Sequence, residues 1–291
     1  MFGIVILNYV NFNETEEAIK NLALQAWFEA VKIYVIENGS ENSSLERLTK
    51  LQKKFGFELI VSKENLGFAR GANLGIDAAR RDGCDYIMEL NSDARIVLGQ
   101  PYFLEKITAL YEADVRIALI TPDIKNLDGM PQNPMNRRRF TNLQILFFKI
   151  FFYFRLDRLY FWVRTDLFFN QISWYVHKRN ERRKQALAHT LPDSGFIYAA
   201  LGSCQILTPT FFKHFDGHDN RTFLYCEEYI LAEHLDIKGL YTWFENSISV
   251  LHRESQSVEA VTKNQKDKIK FLLRHMFQSG RIFIGMLKLW R

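Results

Sequence analysis

The chain has 291 residues, 47% of them hydrophobic, which is enough for a real core and excludes a disordered chain. Its three cysteines, Cys84, Cys204 and Cys226, are isolated and odd in number, which argues against a disulfide framework or a zinc site and fits a reducing compartment. The net charge of +5 is uneven: residues 137–184 hold twelve Lys/Arg against three Asp/Glu, so the remainder is slightly acidic and basic character belongs to one segment.

The first apolar run, Phe2 to Leu7, has no positive leader and is too short for a signal peptide. No uninterrupted apolar stretch approaches the ~18–20 residues of a membrane span. A cytoplasmic protein is expected.

Strand and helix patterns then alternate. Ile4–Leu7 reads as a strand, and Thr15–Gln25 as a helix with Ala18, Leu22 and Gln25 on one face. Lys32–Glu37 is a second strand, closed by Asn38-Gly39-Ser40. Ser43–Phe55 is helical, capped at Ser43 or Ser44 with Glu46 in its first turn. Glu58–Val61, Tyr86–Leu90 and Ile117–Thr121 are further strands. Ala72–Arg81 is a helix, and Pro101–Tyr111 another with proline near its start. This order predicts an α/β fold: a mixed, mostly parallel sheet with helices on both faces and ligands beyond the carboxyl ends of the strands.

Residues 131–190 break the alternation. Arg137-Arg138-Arg139 leads into an apolar run from Ile145 to Phe154, then arginines interleaved with Tyr160, Phe161, Trp162, Phe168 and Phe169, and a basic run from Lys178 to Lys184. Two or three helices fit here. Beyond Pro192 the globular pattern returns, with a helix from about Glu227 to Lys238, strands at Leu240–Phe244 and Ser247–Leu251, and a basic amphipathic helix over 258–278. The predicted units are 1–130, 131–190, 191–252 and a C-terminal extension over 253–291.

Three motifs carry chemistry. Asn65-Leu66-Gly67-Phe68-Ala69-Arg70-Gly71-Ala72-Asn73 is a glycine turn between strand and helix, where backbone N–H groups and an arginine suit a diphosphate. Asn91-Ser92-Asp93 ends the next strand in a carboxylate suited to a divalent metal. Glu227-Glu228 follows the aromatic run Phe223-Leu224-Tyr225, and an apolar approach raises a carboxylate's pKa toward that of a general base. Each has a plainer reading: Asp93 opening a turn, Arg70 on a helix surface, and two acids at the favourable end of a helix.

Taken together, the glycine turn and Leu90-Asn91-Ser92-Asp93 resemble the inverting family 2 glycosyltransferases of the GT-A fold, in particular their rhamnosyltransferase-like branch. The resemblance runs from Ile4 to about His252, interrupted by the basic segment. It implies nucleotide contacts from Asn8, Glu37, Asn38, Asn65, Arg70, Asn73 and Asn91, with Gly67 and Gly71 allowing close backbone approach. It implies Mg²⁺ or Mn²⁺ at Asp93, with His252 either completing that site or structural, and an acceptor pocket at Gly202 and Ser203. Glu228 would be the base and Glu227 its orienting partner.

Departures stand out. Glu37 replaces a shorter acid, Asn91-Ser92-Asp93 supplies one anionic ligand where relatives often have two, and Ile230 and His234 replace an acid and an arginine. The Asp216-Gly217-His218 region matches only loosely.

The expected reaction is sugar transfer from a nucleotide-diphosphate donor, rhamnose first, to a saccharide acceptor, lipid-linked, in bacterial surface polysaccharide synthesis such as capsule or O-antigen. The basic aromatic segment 137–184 reads as a membrane surface, an oligomer contact or a nucleic-acid site. Its Phe-rich composition disfavours nucleic acid, and lipid-linked acceptors favour the inner face of the plasma membrane. A nucleotidyltransferase would need a basic phosphate loop where Asn8-Tyr9-Val10-Asn11 stands. A non-catalytic membrane-docking partner would have lost the Glu227-Glu228 pair, which is present.

Overall fold

A computed structural model describes residues 1–162, 192–253, 262 and 264–289. The predicted basic run from Lys178 to Lys184 and the aromatics Phe168 and Phe169 lie outside the described residues.

The first half alternates as the sequence predicts. Strands β1 (Phe2–Asn8), β2 (Val31–Asn38), β3 (Glu58–Ser62) and β4 (Tyr86–Leu90) are separated by helices α1 (Phe12–Ala23), α2 (Ser44–Phe55) and α3 (Phe68–Arg81). Then follow β5 (Ala94–Ile96), α4 (Phe103–Ala113), β6 (Ile117–Lys125), α5 (Asn142–Tyr153) and α6 (Leu156–Trp162). After the undescribed stretch come β7 (Gly195–Ile197), β8 (Cys204–Leu207), α7 (Pro209–His214), α8 (Glu227–Ile237), β9 (Tyr241–His252) and α9 (Gln265–Met286).

All nine strands join one sheet in the order β3-β2-β1-β4-β8-β6-β9-β5, with β7 also paired to β9. Six strands share one direction, and β5, β7 and β8 oppose it. Alternation along β1 explains the layers. Ile4 and Ile6 point into a core with Leu22, Leu48 and Ile107 from α1, α2 and α4. Val5 points the other way, against Ile76, Phe211 and Leu231 from α3, α7 and α8. A smaller third cluster, Ile145, Ile230, Phe283 and Ile284, ties α5 and α9 to α8.

Several elements differ from the sequence-based expectation; among them, the helix α7 was not anticipated and β6 runs four residues past Thr121. Helix α3 starts at Phe68 rather than Ala72, because Gly67 turns the chain at φ +80° and the helix begins at once. Arg70 and Gly71 therefore lie in its first turns. The short strand β5 was not anticipated; three residues carry too little periodicity. The two strands expected at Leu240–Phe244 and Ser247–Leu251 are one, β9. The polar Glu245-Asn246 that separates the two predicted strands leads into a bulge, where pairing jumps from Pro122–Glu245 to Asp123–Ser249. Helix α9 runs to Met286, eight residues past its predicted end.

Candidate active site

A cavity of about 650 Å³ opens at the carboxyl ends of β1, β2 and β4. A smaller hollow of about 290 Å³ shares Tyr9 and Asn65 with it and contains Glu37.

The β2 end is built from hydrogen bonds between strands. Asn8 donates to Glu37 across 2.5 Å and accepts from Thr15 Oγ1. Ser40 N–H donates to Glu37 Oε1, so the acid of β2 is fixed from two sides. Asn38 organises the glycine turn: its Nδ2 donates to Asn65 Oδ1 and to the Gly67 carbonyl, and its Oδ1 accepts from Leu66 N–H. Phe68 N–H then donates to the Phe223 carbonyl at 2.9 Å. A Cβ on Gly67 would lie 2.2 Å from that same oxygen, so glycine permits the approach of the two loops.

The β4 end carries the metal candidates. Asp93 Oδ1 and His252 Nε2 are 3.3 Å apart. They are brought together because β5 pairs with the end of β9, where Ala94 faces His252. His252 Nδ1 meets Gln132 Oε1 at 2.9 Å, an acceptor, which puts a proton on Nδ1 and turns the Nε2 lone pair toward Asp93. Behind them, Glu14 accepts from both Arg95 and Arg253. Arg95 also donates to the Ser92 carbonyl, which stiffens the turn.

Across the cavity, Tyr225 and Cys226 both adopt left-handed backbone, at φ 68° and 66°, immediately before α8. Two such non-glycine residues in succession are strained. They aim the first residues of the helix, Glu227 and Glu228, into the cavity. Burial, then repulsion from Glu228, pushes the Glu227 carboxyl up to about 7, although Thr222 Oγ1 donates to it. Burial also raises Glu228, against the Gly202 N–H and its own backbone N–H at the helix start. The Glu228 carboxylate rests on Gly202, where a Cβ would come 3.1 Å from its Oε1.

Residues 3–187, more than half of the chain, match the Glycosyl transferase family 2 domain. The chain belongs to that family. It is 28% identical over 123 residues to the poly-beta-1,6-N-acetyl-D-glucosamine synthase of Staphylococcus aureus strain COL; the match covers 42% of this chain and 28% of the synthase. The same enzyme from strain MSSA476 matches at 27% over the same length. Among solved structures, GalNAc-T7 with UDP, GalNAc and Mn²⁺ superposes with a TM-score of 0.59 at 12% identity, over 88% of this chain and 44% of that one. S. aureus TarS superposes at 0.53 and 11% identity, over 97% and 43%. These likenesses establish the GT-A-type α/β fold.

In this family 2 transferase most of the sequence-predicted residues meet. Asn38, Asn65, Gly67, Asn91, Asp93, Gly202, Ser203, Glu227, Glu228 and His252 all line the large cavity. Others stand apart from its wall. Asn8 is buried behind Glu37, and Arg70 is exposed on the surface of α3. Gly71 seats α3 on Leu7, whose methyl would lie 2.7 Å from an added Cβ. Asn73 clamps the His218 backbone with two hydrogen bonds.

Sequence reasoning missed the far wall, Phe271, Leu272 and His275 of α9. It also missed a buried Glu89–His218 pair, 2.6 Å apart beneath the site. A charged residue inside the apolar run Tyr86-Ile87-Met88-Glu89-Leu90 is the one sign that pointed there.

Proposed function

We propose that this transferase moves one sugar, with inversion, from a nucleotide-diphosphate donor to a saccharide acceptor. The observation that carries the reading is that Glu228, Asp93 and His252 line one cavity. The acceptor hydroxyl gives its proton to Glu228 while its oxygen bonds to the anomeric carbon. The bond from that carbon to the diphosphate oxygen breaks, and its electron pair leaves with the nucleotide. The Glu37 hollow takes the nucleoside, and the Asn38-organised turn lies beside the phosphates.

Asp93 and His252 suit Mg²⁺ or Mn²⁺. Among the described residues no group of three or more His, Cys, Asp or Glu exists, so Asp93 and His252 would hold the ion together with the diphosphate and water. When bound, such an ion neutralises charge on the leaving group. The Mn²⁺ and UDP named for the GalNAc-T7 structure support this choice. The motif resemblance makes dTDP-rhamnose one donor to try, and the name of the curated relatives makes UDP-N-acetylglucosamine the other.

A lipid-linked acceptor, and attachment to a membrane face, are supported by the α5–α6 surface. No described helix is long and apolar enough to cross a membrane. Yet Leu143, Phe147, Tyr153, Phe154, Leu159 and Trp162 are each more than half exposed. The one acid of residues 142–162, Asp157, is buried and paired with Arg281, while Arg155 and Arg158 are exposed. Apolar side chains flanked by cations fit an anionic lipid surface. Helix α9 connects that surface to the site: Phe271 and His275 face the cavity, and Phe277 packs on Phe151, Phe152 and Tyr160.

The test begins with melting temperatures in UDP, dTDP or GDP, each with Mn²⁺, Mg²⁺ or EDTA. A metal-dependent rise with one nucleotide is expected, since a ligand that binds only the folded state stabilises it by mass action. Transfer from the matching donor follows. Glu228→Gln should retain the nucleotide shift and lose ~10²–10⁴-fold in kcat; full activity in that variant discards Glu228 as the base.

A further inference from the structure

Below the cavity floor a charged pair is buried where the sheet is otherwise apolar. Glu89 of β4 is 3% exposed, and its strand neighbours Met88 and Leu90 belong to the apolar core. Its Oε2 lies 2.6 Å from His218 Nε2, and its Oε1 has no hydrogen-bond partner among the described residues. The imidazole is held in place. His218 N–H donates to Asn73 Oδ1, the His218 carbonyl accepts from Asn73 Nδ2, and the Phe68 ring stands 6.4 Å away. Helix α3 and strand β4 therefore fix the ring between them.

The groups facing this imidazole are all acidic: Glu89 from β4, then Glu227 and Glu228 from α8. From α3 the residue that touches it, Asn73, is neutral, and Asp219 of its own loop is taken by Arg221. From β8, Cys204 sits near Glu89 as a buried neutral thiol. Three carboxyls thus act on one imidazole, with Glu89, Glu227 and the ring buried and Glu228 on the cavity wall. Such an arrangement is costly unless a positive charge stands among the acids.

We propose that Glu89 and His218 are positioning residues for the base: the imidazolium held by Glu89 offsets the Glu227–Glu228 repulsion and keeps Glu228 ionised. The inference rests on the assignment of Glu228 as base. Burial works against the imidazolium, but Glu89, Glu227 and Glu228 outweigh it and hold His218 above the ordinary histidine value. In return His218 draws both glutamates down, against the burial that raises them.

The test reads ionisation and catalysis separately. Carbon-13 NMR of the full chain follows the Glu228 carboxyl in the native protein, in His218→Gln and in Glu89→Gln. His218→Gln should move the Glu228 midpoint up by about one pH unit, a tenfold rise in the ratio of protonated to ionised carboxyl at any given pH. Glu89→Gln keeps a hydrogen-bonding group but removes the acid that favours the imidazolium, and should move the midpoint the same way by less. Midpoints unmoved in both variants overturn the proposal.

In transfer assays the acid limb of kcat/KM should rise with the midpoint, and activity should recover toward pH 9. An equal loss at every pH marks a purely structural pair and also overturns it. A moved carboxyl with an unmoved acid limb keeps the charge pair and removes Glu228 as the base.

Discussion

Glu227 is held in two opposing ways. The helix start and Thr222 favour its ionised form, and burial beside Glu228 disfavours it more. Its folded-state value of about 7 lies above the unfolded value of 4.5. A raised acid binds its proton more tightly when folded, so this group supports the fold fully below the unfolded value. That support is lost as pH rises through about 7, and amounts to at most about 3 kcal/mol. Glu227→Gln, which keeps the acceptor for Thr222, should raise the melting temperature at pH 8 and leave it nearly unchanged at pH 4.5. A variant equally destabilised at both values would mean that the carboxylate itself holds the loop. Sequence alone marked Glu227 and Glu228 as acids after an aromatic run. It did not mark the strained Tyr225-Cys226 turn, because left-handed backbone at a tyrosine and a cysteine has no compositional trace.

At the scale of elements, α8 shows how the departures noted in the sequence are accommodated. Ile230, standing where relatives often have an acid, is sealed in the cluster between α5 and α9. A buried acid stands three residues further on, at Glu233, which accepts twice from Arg139 and once from Tyr198. This pair fastens the start of the basic segment to α8. Removing Arg139 takes two charge-assisted hydrogen bonds from a carboxylate of 0% exposure. Arg139→Met should therefore cost ~3–5 kcal/mol by denaturant unfolding. Arg116→Met, which removes an exposed pair with Asp114, should leave the midpoint where it is.

The glycine turn gives a second expectation at this scale. Gly67→Ala would place a methyl on the Phe223 carbonyl at a positive φ. It should weaken nucleotide binding and lower the melting temperature together, because one contact joins the turn to the loop ahead of Glu227. Local elements were largely legible: the first four strands and their helices follow from alternating apolar patterns. What escaped included β5, the helix α7, the continuity of β9 and the length of α9. Each is set by a distant partner, and periodicity within a segment does not report its partners.

For the whole molecule, the site is assembled from every part of the chain: Asn8 and Glu37 early, Asp93 in the middle, Glu228 and His252 later, and α9 last. The sheet makes this possible by placing β8 between β4 and β6, so that Ser203 accepts from Asn91 N–H and the two halves share one floor. The α5–α6 surface extends the same frame outward. The protein should sediment with vesicles of phosphatidylglycerol and phosphatidylcholine, less in high salt, and weakly with phosphatidylcholine alone. Phe147→Ser with Phe154→Ser should reduce that binding several-fold while leaving the nucleotide-induced melting shift intact. Equal binding by the variant would turn attention to the basic run from Lys178 to Lys184.

The wall supplied by α9 also places the site in time. Ser279 Oγ donates to the Leu224 carbonyl, and the His275 ring stands 5.2 Å from Phe223, just ahead of Glu227. The strands of the sheet and the loops ahead of α3 and α8 are made before these residues, so a nascent chain that stops short of α9 lacks this wall of the cavity.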